Sequence, residues 1–129
     1  MCKENASAKI GVKGYSGFSV RIVLPDDVKF TGPEGKVEPK VTPVKSDGYI
    51  NISESMGRNG KNAGIVILDH PSNPGYPQLW ILRNKNSMQN AVYPGNKVVP
   101  ISTDKPLELK YSLLIYYGKL GAEKIKKIK

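Results

Sequence analysis

Gly64-Ile65-Val66-Ile67-Leu68-Asp69-His70-Pro71-Ser72-Asn73-Pro74-Gly75-Tyr76-Pro77-Gln78-Leu79-Trp80-Ile81-Leu82-Arg83 is the stretch that decides how this chain folds. Its first five residues form an unbroken apolar run closed off by turn formers. Such a run needs burial on both faces, which predicts a central strand. The loop that follows carries Pro71, Pro74 and Pro77. Proline fixes φ and removes a donor, so the loop is stiff, and its polar groups lose little entropy on being held in place. Trp80 to Arg83 then reads as a second, short strand.

On either side the same punctuation continues. Phe18, Val20, Ile22 and Leu24 alternate with Ser19, Arg21 and Val23, which predicts a strand over Tyr15 to Leu24, ended by Pro25-Asp26-Asp27. Gly32-Pro33-Glu34-Gly35 is a tight turn. Lys36 to Val44 alternates again, but its prolines make it an edge strand or an extended surface segment. Ser46-Asp47-Gly48 signals a hairpin into Tyr49, Ile50 and Ile52, and Gly57 to Asn62 is a polar loop. A short strand is predicted over Val98 to Ser102. A long one is predicted over Leu107 to Tyr117, with Leu107, Leu109, Tyr111, Leu113, Ile115 and Tyr117 on one face. No segment has a convincing helical period. Ala122 to Lys129 allows at most two turns, too short to be stable alone in water. Roughly seven or eight strands with turns about every 8 to 12 residues predict an all-β, antiparallel β-sandwich. The expected organisation is a flexible N-terminus over residues 1–10, one sandwich domain over 11–118, and a Lys-rich tail over 119–129, either a short helix or disordered.

Composition narrows the class further. The 129 residues include 13 glycines and 10 prolines and are 39% apolar. That is too interrupted for a helical bundle and too unbiased for a disordered chain. The longest apolar run, Leu113 to Tyr117, is far short of a bilayer-spanning helix, and Met1 does not open a signal-peptide pattern. A soluble domain is expected, with its compartment left open. The net charge is +9, of which Lys119, Lys124, Lys126, Lys127 and Lys129 against Glu123 contribute +4. The cations are almost all lysine, beside only Arg21, Arg58 and Arg83. Base reading and phosphate clamping favour the rigid arginine fork, so a nucleic-acid partner is not expected. Cys2 is alone, which excludes an internal disulfide.

Few chemical motifs survive inspection. Gly60-Lys61 resembles the end of a phosphate loop, but Ser55 replaces its first glycine and Asn62 its magnesium-binding hydroxyl. One His and one Cys leave too few ligands for a zinc site, so no metal and no cofactor is expected. Asn5-Ala6-Ser7 and Asn51-Ile52-Ser53 fit glycosylation acceptors, triplets too common to carry weight. His70 is the chain's one histidine, the side-chain type whose unperturbed pKa lies nearest neutrality, hence the first candidate for general acid or base, with Glu54 or Asp69 as its partner. Against this stands a bland alternative, in which Asp and Asn side chains pin the loop and His70 packs on a proline. Trp80 either stacks on a sugar ring or fills the core. Arg21 and Arg83, on strands, either face solvent or donate to a ligand's oxygens.

Asp69, His70, Pro71, Asn73, Pro74, Pro77, Trp80 and Arg83 together resemble a motif of the soluble PmoA-like family, labelled "methane oxygenase PmoA". Gly14 to Arg21, Ala63 to Leu68 and Leu107 to Gly118 are similar to its flanking strands. The label is not chemistry, because a membrane methane monooxygenase subunit needs long apolar helices. The resemblance implies half of a galactose mutarotase-like supersandwich, carbohydrate-related, with some relatives exported. Members are about twice this length, which implies a C-terminal half with an uncovered face and a tendency to homodimerise or otherwise self-associate. Leu79 and Ile81 depart from the Pro and His common there. Two functions follow as expectations. One is a protein that binds or processes a carbohydrate on a concave sheet, with His70 and Glu54 as the acid–base pair and Arg21, Asp69, Asn73, Trp80 and Arg83 as binding residues. The other is a non-catalytic structural or protein-interaction module.

Overall fold

The computed structural model describes residues 17–85, 87–94 and 104–128. Among them, nine strands form two antiparallel sheets. They are β1 (Gly17–Arg21), β2 (Lys29–Gly32), β3 (Gly35–Lys36), β4 (Val44–Lys45), β5 (Tyr49–Glu54), β6 (Ala63–Asp69), β7 (Leu79–Ile81), β8 (Met88–Val92) and β9 (Tyr111–Tyr117). One sheet has the order β1-β8-β7-β4 and the other β3-β2-β5-β6-β9. The protein is an all-β sandwich with, among the described residues, one α-helix, α1 (Ala122–Ile128), and no helix among them is long and apolar enough to cross a membrane. The predicted strand over Val98 to Ser102, and Tyr15 and Ser16 at the start of the first, lie outside the described residues.

The period of two assigns the faces. Phe30, Ile50, Ile52, Ile65 and Ile67 of the larger sheet meet Trp80, Leu82 and Ala91 of the smaller one in the main core. Phe18 stacks on Tyr111 with ring centroids 5.1 Å apart, which closes one side. The outer face of the larger sheet holds a second, smaller core of Tyr49, Val66 and Ile125. The unbroken run in β6 therefore has a reason: Ile65 and Ile67 point into the sandwich, while Val66 lies in the cluster with helix α1. At seven residues the helix cannot hold itself together. It is seated by Ile125, which is 1% exposed.

The extended reading of Lys36 to Val44 holds only at its ends, as two-residue strands. Two strands escaped prediction. In β2, four residues lie between turn signals and only Phe30 enters the main core. In β8, Gln89 and Asn90 are fully buried, a polarity that hides a core strand. The Gln89 amide replaces a stretch of ladder by accepting from Arg83 N–H at 2.8 Å and donating to Arg83 C=O at 2.9 Å.

Candidate functional site

The proline loop is a latch. Asp69, 1% exposed, accepts from Asn73 Nδ2 at 2.7 Å and from the Gln78 backbone N–H at 3.1 Å. Asn73 also donates to Lys110 C=O and accepts from Lys110 N–H, both at 2.7 Å. Its side-chain amide thus imitates a peptide group and extends the β6–β9 pairing beyond Tyr111. Gln78 Nε2 donates to Pro74 C=O at 2.7 Å and ties the loop to itself. Buried polar groups must be paired, and these three side chains are paired with the loop and with the start of β9.

The structure does not bring the remaining residues of that stretch together. His70 is exposed, and its Nδ1 accepts from the Ser72 N–H at 3.0 Å with Ser72 Oγ 2.6 Å away. Trp80 is 0% exposed, and its indole N–H donates to Ser46 C=O at 2.8 Å inside the core. No face of that ring reaches solvent. Arg83 straps the segment before β4, donating to Lys40 C=O at 2.9 Å and Val41 C=O at 3.4 Å. Arg21 is exposed at the end of β1, opposite Met88. Glu54 pairs with Ala63 at one end of β6, whereas His70 follows Asp69 at the other. Six residues of strand separate them, about 20 Å at roughly 3.3 Å per residue. An acid and a base acting on one sugar ring cannot stand that far apart, so the predicted His70–Glu54 pair is corrected on geometry.

Glu54 belongs to a different feature. Because Phe30 and Ile52 point inward, Lys29, Thr31, Asn51 and Ser53 all point outward, with Lys29 opposite Ser53 and Thr31 opposite Asn51. Ser53 is followed across the sheet by Gly64 and then by Tyr116. A Cβ at Gly64 would lie 2.8 Å from Ile52 C=O and closer still to the Tyr116 hydroxyl. The missing side chain therefore lets the tyrosine ring lie over the strand. Its hydroxyl donates to Asn51 Oδ1 at 2.6 Å, and Asn51 Nδ2 donates to Leu120 C=O at 3.3 Å. Asn51 is thus buried and committed, not a surface acceptor for a glycan. Burial pushes the Tyr116 phenol up, with the bond to Asn51 pulling the other way. Between these rows and the Gly118–Gly121 segment lies a groove of about 260 Å³, which Glu54, Asn62 and Lys119 also line.

The groove holds the sharpest backbone anomaly among the described residues. Glu54 has φ 112°, a region that glycine favours and that costs other residues on the order of 1–3 kcal/mol. Its cause is visible next door. Asp27 grips Ser55, accepting from its hydroxyl at 2.6 Å and its N–H at 3.3 Å. That hydrogen bond to Ser55 holds the Asp27 carboxyl below its ordinary pKa. The chain turns sharply, with Met56 N–H on Glu54 C=O at 2.7 Å. The Glu54 carboxylate lies 3.8 Å from Lys29 Nζ and 3.5 Å from Ser53 Oγ. Thr31, Asn62 and Lys119 have no side-chain partner among the described interactions, so their hydrogen-bonding capacity is unspent.

A larger hollow, about 370 Å³, lies between the β2–β3 turn and β4. Two of its charged groups, Lys36 and Glu38, are paired with each other at 2.9 Å, and no strained residue faces it. Among the described residues, no group of three or more His, Cys, Asp or Glu is placed to hold a metal ion.

The chain belongs to the family described as "Family of unknown function (DUF6807)", whose model matches residues 1–129. This corrects the resemblance drawn from the proline loop: the family matched is DUF6807, and no PmoA family accompanies it. No curated protein and no solved structure matches the chain. The expected kinship with mutarotase-like supersandwiches therefore gains no support.

Proposed function

We propose that the protein is a carbohydrate-binding β-sandwich whose ligand seat is the groove across β2, β5 and β9, and that it binds without catalysis. The observation that carries this reading is Glu54, held at φ 112° beside Lys29. Strain of that kind persists only where the surroundings impose it, and it concentrates at ligand sites. Around it stand the hydroxyls of Thr31, Ser53 and Tyr116 and the amide of Asn62, a mixed set of donors and acceptors that suits a ligand carrying many hydroxyls. Because His70 stands at the far end of β6 from Glu54, the reading is one of binding and not of acid–base chemistry by that pair. The test is an NMR titration of the labelled chain with a panel of neutral and acidic mono- and oligosaccharides. Shifts confined to β2, β5, Asn62 and Gly118–Gly121, weakened in Thr31→Val and unchanged in His70→Ala, are expected. A panel that leaves those resonances unmoved overturns the reading.

The edge strand β9 favours a second reading, self-association. Leu113, Ile115 and Tyr117 share the inner face, yet they are 45%, 76% and 80% exposed. From Tyr111 to Tyr117 the strand has no charge, proline or glycine, the usual protections of an edge. Sedimentation velocity should show a dimer that Ile115→Lys dissociates; a strict monomer at high concentration excludes it.

A further inference from the structure

The Lys-rich segment over residues 119–128 lies on the same side of the larger sheet as the groove. Ile125 seats α1 on Tyr49 and Val66, the outward-facing residues of β5 and β6, and Asn51 beside them lines the groove. Lys124, Lys126 and Lys127 of that helix are exposed. Lys119 sits in the groove wall itself. Its backbone is pinned on both sides, since Gly118 N–H donates to Asn62 C=O at 2.8 Å and Leu120 C=O accepts from Asn51.

The charges of the groove do not cancel. Lys29 and Lys119 stand against Glu54 alone, and Glu54 is engaged by Lys29 at 3.8 Å. Among the described ion pairs none includes Lys119, which leaves one ammonium, on a fixed backbone, without a counter-charge. The helix lysines extend that positive field along the face, with Glu123 as the one acidic side chain between them. A field of one sign beside a groove concentrates ligands of the other.

We infer that the groove takes an acidic carbohydrate, a sugar bearing a carboxylate, with the acid group on Lys119. This rests on the carbohydrate-binding reading above and adds a ligand class to it. A point-charge ammonium suits a single carboxylate, whereas a nucleic acid is better held by arginine forks and stacking aromatics. Neither feature is offered here. The groove's aromatic ring, Tyr116, lies along the sheet with its hydroxyl on Asn51.

The probes are trigalacturonate and its methyl ester, which keeps the hydroxyls and loses the charge. Both are titrated into the full chain by calorimetry at low and at physiological salt. The acid should bind about tenfold tighter than the ester at low salt, the scale of one charge-assisted hydrogen bond. The gap should narrow with salt and shrink in Lys119→Ala, where the acid loses more affinity than the ester, and Lys119→Arg should preserve it. Lys119 is exposed, so neither substitution threatens folding. Equal affinity for acid and ester, a preference that survives Lys119→Ala, or an oligodeoxynucleotide that binds as tightly as the acid each overturns the inference and leaves the groove in place. Failure of both acid and ester to bind overturns the groove reading itself.

Discussion

Replacing Glu54 by glycine should make this protein more stable and less able to bind. A non-glycine residue at positive φ carries on the order of 1–3 kcal/mol of strain, which glycine releases. Against that, glycine gains freedom in the unfolded chain, roughly 0.5–1 kcal/mol. The lost pair with Lys29 is long, at 3.8 Å, and its lysine is 60% exposed, so its removal costs at most about 1 kcal/mol. The balance is a gain of about 1 kcal/mol, or a melting temperature higher by some 4 °C for a domain of this size. Glu54→Ala is the necessary control, because it deletes the same carboxylate but keeps a Cβ at φ 112°. Urea unfolding of the three proteins separates backbone from side chain. Glycine should be the most stable, alanine the least, with slopes unchanged. If glycine proves no more stable than alanine, Glu54 is unstrained and does not mark the groove as a ligand seat.

Three further outcomes follow from the same structure. Ile125→Ala should cost about 2–4 kcal/mol of local stability and release α1, read as rapid amide exchange over residues 122–128 while β5 and β6 stay protected. Asn73→Ala leaves the Lys110 N–H without its acceptor and takes one donor each from the Asp69 carboxylate and from Lys110 C=O, which keeps the His70 N–H; a loss of about 1–3 kcal/mol in urea unfolding is expected, and Asn73→Asp should not restore it fully, having no N–H to donate. Tyr111 is pushed up to about 12, first by burial and then by the Asp69 charge, so its neutral form stabilises the fold below pH 10, and that contribution drains away as pH rises from 10 towards 12. Thermal unfolding across that window should therefore decline less steeply in Tyr111→Phe than in the unsubstituted protein.

The sandwich was legible where burial is expressed as apolarity. Ile65 to Leu68 announces a strand covered on both sides, and alternation in Phe18 to Ile22 gives the packed face, whereas Leu113, Ile115 and Tyr117 alternate in the same way yet are 45%, 76% and 80% exposed. It was illegible where polar side chains do the work of backbone. Gln89 and Asn90 sit in the core of β8 because their amides bond to Arg83 and to Phe18 C=O, and a sequence pattern scores them as surface. The same substitution of amide for peptide gives the proline loop its site-like composition. Asp69 and Asn73 look like site residues because their types are those of sites, but only coordinates tell whether such groups face a ligand or a neighbouring strand. Glu54 was picked out in the sequence for a pairing that the length of β6 forbids. Nothing in its identity shows a positive φ, since the cause lies 27 residues upstream at Asp27, in the grip on Ser55.

The distinction that separates latch from site is one of remaining capacity. A carboxylate or amide already matched by partners within the protein has little to offer a ligand without breaking the fold that holds it, and an exchange of that kind forfeits a buried bond for each one gained. Asp69 and Asn73 are in that condition, and so is Asn51. Thr31, Asn62 and Lys119 are not: their neighbours and backbones are fixed by the sheet and by the Asn51 bridge, yet their own polar ends carry no protein partner among the described interactions. Groups that are held in place but chemically uncommitted lose little entropy on binding and give up no existing bond. That combination gathers on the outer face of the larger sheet, around a strained glutamate, whereas Asp69, Asn73 and Gln78 of the loop are spent on the latch.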